Sequence, residues 1–412
     1  MIFTDSLFCP WVSVLWYSLV HFGLMSYNEK KATGETDMKF LNLLIKPASS
    51  LCNLRCKYCF YEDEAINRTQ HSMGIMQEDL ADLLITQAFE AIDPDGTVTF
   101  AFQGGEPTIA GLPFFQHFVE TVKKYRPPKV SVSFSIQTNG ILLNADWAKF
   151  FKEERFLLGL SIDGFRDAHE AHRVDIDGYG TWKKVLAAKA LLDQYDVDYN
   201  ALCVVTNYCA THPDKAYKTL KQLGFRYIQF IACLDPIGHK RGTEPWSLVP
   251  ETYGKFLCRV FDLWYQDWLS GNYHSIRLFE DYVHILLGDG ASACSTCGKC
   301  GSYLVIEGDG SGYPCDFYVL DNWKIGSLPH MTIARMADSA KASEFLHWGT
   351  EKPAECARCP YTRLCNGGCK NDWFEDQAGV HNYFCPAFRT FLDYAFPRIR
   401  QIALAELSAR NK

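Results

Sequence analysis

Cys52, Cys56 and Cys59 fall on one short stretch, Cys-x3-Cys-x2-Cys, directly after an apolar run at 40–46. Three thiolates can hold three corners of a cubane [4Fe–4S] cluster, where a fully ligated cluster takes four. The fourth iron is left open to another ligand, and an open position separates a reactive metal centre from a structural one. A zinc knuckle wants a fourth Cys or His within reach, and the nearest candidate, His71, stands twelve residues beyond Cys59. Three cysteines in eight residues beside Arg55 and Lys57 are poor material for plain core packing. The expectation is a cluster with one open iron.

A second concentration of thiols lies near the C-terminus. Nine of the 17 cysteines run from Cys294 to Cys385: Cys294-x2-Cys297-x2-Cys300-x14-Cys315, then Cys356-x2-Cys359-x5-Cys365-x3-Cys369-x15-Cys385. A chain of 412 residues that is 48% hydrophobic is no small disulfide scaffold. Such dense Cys in a large chain points to metal or redox chemistry and a cytoplasmic setting. Nine thiols supply two four-ligand clusters with one left over. Spacing alone does not identify the spare, and Cys356-x2-Cys359 suits zinc as well as iron. Cys9, Cys203, Cys209, Cys233 and Cys258 read as small apolar residues. The net charge of −7 and the lack of basic runs argue against a nucleic-acid partner.

Chemistry of this kind needs a frame. From 40 to about 235, short β-rich runs alternate with amphipathic segments. Strands are expected at 40–46, 97–102, 130–137, 156–162, 197–205 and 227–232, with helices at 77–92, 113–125, 145–153, 182–194 and 213–223. Alternating βα units imply a parallel sheet with helices outside. Six units are too few for a closed eight-stranded barrel; the count suits the α/β partial (β/α)6 barrel that the family resemblance of the cysteine motif implies. Its chemistry should gather at the C-terminal ends of the strands, where the first cysteine loop falls. Helices at 251–270, 278–287 and 388–409 complete the reading. The division expected is a barrel at 39–235, a helical bridge at 236–290, a Cys-rich region at 291–395 and a C-terminal helix and tail at 396–412. Residues 6–28 carry no charge, and an apolar run of that length can span a membrane. Pro10, several serines, His21 and the absence of a basic n-region speak against an anchor. Residues 1–38 read as surplus, with Met25 or Met38 as the expected true start.

Cys52, Cys56 and Cys59, with Tyr58 just before the last, resemble the signature of the radical S-adenosylmethionine enzymes. The C-terminal spacing is similar to their SPASM extension, and the resemblance implies three [4Fe–4S] clusters. Carried over residue by residue, Cys294, Cys300, Cys315 and Cys369 hold one auxiliary cluster. Cys356, Cys359, Cys365 and Cys385 hold the other, and Cys297 is spare. Gln103-Gly104-Gly105-Glu106-Pro107 resembles the segment that holds the methionine amino group, an ammonium from which Glu106 can accept. Arg173 resembles the residue that grips the methionine carboxylate. Tyr58, Gly105, Ser161 and Leu234 complete the implied S-adenosylmethionine contacts.

Cys59-Phe-Tyr61, Gln137-Thr-Asn-Gly140, Cys233-Leu-Asp-Pro236 and Tyr313-Pro-Cys-Asp-Phe-Tyr318 together resemble the anaerobic sulfatase-maturating enzymes. That implies oxidation of a Cys or Ser of a sulfatase to Cα-formylglycine. The substrate is then an unfolded or nascent sulfatase polypeptide around Cys/Ser-x-Pro-x-Arg, with Gln103 and Tyr61 as peptide contacts. A low-potential donor such as ferredoxin or flavodoxin supplies electrons. Asp316, beside Cys315, is the expected catalytic base: four thiolates around a cluster leave negative charge, which raises a neighbouring carboxylate's pKa. Two other readings stay open at this point. One is a SPASM peptide maturase that forms thioether or carbon–carbon crosslinks, and the other is a non-catalytic zinc- or cluster-binding module.

Overall fold

The computed structural model describes residues 38–301, 303–348, 350 and 352–411. All but the last residue of segment 1–38, its apolar stretch included, lies outside the described residues.

Six strands run parallel in sequence order: β1 (Phe40–Ile45), β2 (Thr97–Phe102), β3 (Ser131–Thr138), β4 (Leu157–Ser161), β5 (Tyr199–Val205) and β6 (Tyr227–Ala232). Their composition explains this. β1 reads FLNLLI and is buried at every position after the first, as a strand covered on both faces should be. Helices α1 (Phe60–Ile66), α2 (Glu78–Ala91), α3 (Leu112–Tyr125), α4 (Ala145–Glu153), α5 (Trp182–Gln194) and α6 (Pro213–Gln222) lie in the connections. Phe100 and Phe102 of β2 meet Phe118 of α3 edge-on at 5.2 and 5.1 Å, the offset geometry that aromatic quadrupoles favour. This aromatic layer makes the sheet a rigid platform for the loops at its C-terminal edge.

The sheet continues past the six expected strands. Its order is β10-β9-β8-β1-β2-β3-β4-β5-β6-β7, and it does not close. Next to β6 lies β7 (Ser275–Ile276). On the other side, β8 (Leu304–Ile306) pairs parallel to β1, followed by antiparallel β9 (Ser311–Tyr313) and β10 (Gly326–Ser327). The Cys-rich region thus covers the open edge of β1, whose backbone groups need partners. Strands of two or three residues are too short to carry a readable periodicity.

Helices α7 (Pro250–Leu269), α8 (Arg277–Leu287) and α9 (Cys385–Arg410) pack together beside this frame. Gly254 permits the approach of α9: a β-carbon there would lie 3.2 Å from the Ala387 Cα. Helix α9 begins at Cys385, earlier than its apolar pattern suggested, with Pro386 in its first turn. Proline is favoured there because its missing N–H is not needed. A small hairpin, Trp373–Asp376 with Gly379–Asn382, stands apart from the main sheet.

Candidate active site

The first cysteine loop leaves β1 through Lys46 and a tight turn in which Ser49 takes a φ of 49°. It is tied down by Arg55 N–H to the Val174 carbonyl (2.8 Å) and Lys57 N–H to the His172 carbonyl (3.0 Å). Backbone N–H groups of Leu54 and Glu62 point at the Cys52 and Cys59 sulfurs, each at 3.4 Å. Gly105 was expected to let backbone approach a ligand, and the near neighbour is the chain itself. A β-carbon on Gly105 would lie 2.2 Å from the Leu51 carbonyl oxygen. The N–H groups of Gly105 and Glu106 donate to the Ser49 and Leu51 carbonyls at 2.8 Å. The glycine is needed so that the β2 loop can brace the cysteine loop.

Burial pushes the Cys52 and Cys56 thiols up to about 12 and raises Cys59. Such thiols bind metal only by giving up protons, with the metal supplying the missing positive charge. Among the described residues no three His, Cys, Asp or Glu side chains are arranged around a single ion. Three cysteine donors on one loop are the ligand chemistry of an iron–sulfur cluster.

Beside the loop, Asp163 is a hub to which sequence analysis assigned no role. Tyr58 donates its hydroxyl to it, and Arg173 grips it with Nε at 3.0 Å and Nη2 at 3.2 Å. The Val204 N–H adds a bond at 2.9 Å. Arg173 is buried and lies 5.6 Å from the Tyr58 ring centroid. Two of its donors are therefore committed to Asp163 rather than waiting for a ligand, while Nη1 makes neither of those bonds. Glu106 also differs from expectation. Its carboxylate accepts from Thr108 N–H (3.1 Å), Thr108 Oγ1 (2.6 Å), Thr138 Oγ1 (2.8 Å) and Asn139 N–H (2.7 Å). It braces the ends of β2 and β3, with Oε2 the less occupied oxygen. Ser161 is buried at the end of β4, and Leu234 is half-buried just past β6. Donors and acceptors at the strand ends suit a zwitterionic amino-acid group such as that of S-adenosylmethionine.

Asp316 sits in a third polar group, buried where the β8–β9 unit meets β1. Lys46 Nζ is 2.5 Å from its Oδ1, and Gln103 Nε2 donates to Oδ2 at 2.8 Å. Lys46 is wholly buried and lies 3.6 Å from the Tyr61 ring centroid, a cation–π contact. The Tyr61 hydroxyl donates to Glu307, which also pairs with Arg68 at 2.8 Å. A peptide contact expected of Tyr61 does not suit these surroundings: its ring is covered and its hydroxyl is engaged. Glu64, three residues on from Tyr61 and so on the same helix face, completes the group. Burial, and next the charge of Asp316, push its carboxyl well above the ordinary range. The sequence signal for Lys46 was visible in retrospect: a lysine closing an otherwise apolar strand needs a partner.

The C-terminal cysteines gather in two places. Cys294 lies within electrostatic reach of Cys300, Cys315 and Cys369, as Cys315 does of Cys369, and burial raises Cys300, Cys315 and Cys369. A small hollow of about 20 Å³, lined in part by Cys294, Lys299, Cys300, Cys369 and Lys370, opens at this place. Cys356, Cys359, Cys365 and Cys385 form the other group, where burial pushes Cys365 up to about 12. Cys297 stands half-buried beside Cys294.

Residues 47–214 match the Radical SAM superfamily, and residues 292–360 match the iron–sulfur cluster-binding SPASM domain. A cysteine-type anaerobic sulfatase-maturating enzyme of Clostridium perfringens is 43% identical over 365 residues, 88% of this chain and 98% of the relative. A serine-type enzyme of Klebsiella aerogenes is 33% identical, over 86% of this chain and 85% of the relative. The solved structure described as native anSMEcpe with bound AdoMet and Cp18Cys peptide superimposes with a TM-score of 0.84. It is 42% identical and covers 89% of this chain and 99% of its own.

Proposed function

The chain belongs to the anaerobic sulfatase-maturating enzymes, radical S-adenosylmethionine enzymes with three [4Fe–4S] clusters that oxidise a sulfatase side chain to Cα-formylglycine, and we propose that its target is a cysteine. Support for cysteine over serine comes from the closer likeness to the cysteine-type relative, 43% against 33% identity. The substrate is a sulfatase chain presented unfolded around Cys-x-Pro-x-Arg, ferredoxin or flavodoxin donates the electrons, and the setting is the cytoplasm. A reducing compartment suits this many free thiols, and among the described residues no helix is long and apolar enough to cross a membrane.

The division of labour follows from the three polar groups. Cys52, Cys56 and Cys59 hold the primary cluster. Cys294, Cys300, Cys315 and Cys369 hold the first auxiliary cluster, and Cys356, Cys359, Cys365 and Cys385 the second. When bound, S-adenosylmethionine supplies the 5′-deoxyadenosyl radical that removes a Cβ hydrogen from the target side chain. Tyr58, Asp163, Arg173, Gly105, Glu106, Ser161 and Leu234 form its cradle, with Arg173 Nη1 on the carboxylate side and Glu106 Oε2 on the amino side. Completing the two-electron oxidation removes one more electron, which the first auxiliary cluster would accept when bound, and a proton, which Asp316 takes; water then replaces the target sulfur, which leaves as sulfide. Lys46 and Gln103 each hold one carboxylate oxygen of Asp316, so the base is aimed before substrate arrives. Gln103, half-buried at the rim, also faces the incoming peptide.

The juxtaposition of Lys46, Gln103 and Asp316 beside Cys315 carries this reading. Anaerobic reconstitution with reductant, S-adenosylmethionine and matched Cys- and Ser-containing sulfatase peptides tests it. The Cys peptide is expected to lose mass at the target residue faster than the Ser peptide. Equal rates, or a faster Ser peptide, would overturn the cysteine preference.

A further inference from the structure

Lys370 has surroundings that the proposed mechanism leaves unused. It follows Cys369 directly and lines the small hollow that Cys294, Cys300 and Cys369 share. Only 4% of it is exposed. Its Nζ donates to the Phe345 carbonyl at 2.5 Å. Two rings wall it in, Phe345 with its centroid at 3.1 Å and Trp348 at 4.4 Å. Trp348 is itself held by Trp323, stacked at 5.6 Å with planes 10° apart. On its other side lies the hollow it shares with Cys294, Cys300 and Cys369, so the ammonium stands near their sulfurs.

A lysine buried this deeply is costly unless its charge has counter-charges. Its hydrogen bond to the Phe345 carbonyl is to a neutral group, and aromatic faces offset part of the cost. Sulfurs of a thiolate-ligated cluster offer the rest, since their negative charge grows by one when the cluster is reduced. A fixed cation beside them therefore stabilises the reduced form more than the oxidised form. Net charge and hydrogen bonds to the sulfurs are the means by which a protein sets a cluster's potential.

From the shared hollow and the aromatic walls around a buried ammonium, we infer that Lys370 is a positioning residue for electron transfer, holding the first auxiliary cluster at a raised reduction potential. The couple is a one-electron change in which no bond forms or breaks. The inference rests on the ligand assignment proposed above.

The test uses the full-length chain with Cys52, Cys56 and Cys59 replaced by Ala, so that only the auxiliary clusters load. Spectroelectrochemical titration by electron paramagnetic resonance follows the signal of the reduced cluster that Cys369→Ala removes. If Cys369→Ala removes no signal, the ligand assignment fails rather than the role of Lys370. Lys370→Met is expected to make reduction about tenfold less favourable, a shift of about 59 mV to more negative potential for one electron. Lys370→Arg keeps the charge and is expected to stay near the parent potential. An unchanged potential in Lys370→Met at full iron content would overturn the inference. Should Lys370→Met fail to load, Lys370→Gln carries the comparison, with a negative shift expected. Failure of both neutral variants to load, with Lys370→Arg loaded normally, would assign the residue a structural role and overturn the redox one.

Discussion

The barrel and the Cys-rich region position their cysteines by opposite means. In the barrel, a loop of three thiols is pinned between strand ends: Arg55 and Lys57 N–H donate to the Val174 and His172 carbonyls, and Gly105 and Glu106 N–H donate to the Ser49 and Leu51 carbonyls. An aromatic core beneath would hold that loop with or without iron. In the region from 352 to 385, short turns and left-handed residues at Asn366, Gly367 and Gly368 carry the cysteines. Few large apolar side chains there are fully buried. Such a segment gains its order from metal, because binding free energy to a site absent in the unfolded chain is folding free energy. The first auxiliary group lies between these extremes. Cys315 follows β9, which is built into the main sheet, whereas Cys369 belongs to the loop region.

Removal of iron should separate the two regions most sharply. After anaerobic chelation, backbone amides from 352 to 385 are expected to exchange at rates near those of an unfolded chain. Amides of β1–β6 should keep their protection. Uniform loss of protection, read by hydrogen exchange with mass spectrometry, would break the comparison by showing that the barrel also needs its clusters.

Asp316→Asn sharpens it within the active site. Generation of 5′-deoxyadenosine depends on the barrel loop, which this change does not touch. Formylglycine should fall by the roughly 10²-fold or more typical of a lost general base, while 5′-deoxyadenosine continues to form. Loss of both products would instead give Asp316 a structural task beside the first auxiliary cluster.

The smallest effect concerns the joint between the regions. Lys46→Met leaves Asp316 buried without its cation, and breaking such a pair costs about 3–5 kcal/mol. Thermal denaturation of the holoenzyme should show that loss. Lys46→Met with Asp316→Asn, which removes both charges, should recover most of it. A double variant no more stable than Lys46→Met would mean that the pair does not join barrel to auxiliary region.

Periodicity and spacing in the chain settled a good deal without any structure. The strands at 97–102 and 227–232, the helices at 145–153 and 182–194, and the grouping of cysteines were all legible because each depends on residues close together along the chain. At Gly105 the fold adds a close neighbour that no local signal shows, the Leu51 carbonyl. Glu106 looked free to meet an ammonium, yet Thr138 and Asn139 take up much of its carboxylate. Tertiary structure alone decided the rest. The bond from Lys46 to Asp316 joins residues 270 positions apart, and the pairing of β8 with β1 joins 304–306 to 43–45. Neither leaves a periodic trace, since a buried charge or a bare strand edge specifies that it needs a partner but not which one. The choice falls to whichever group the fold brings within bonding distance.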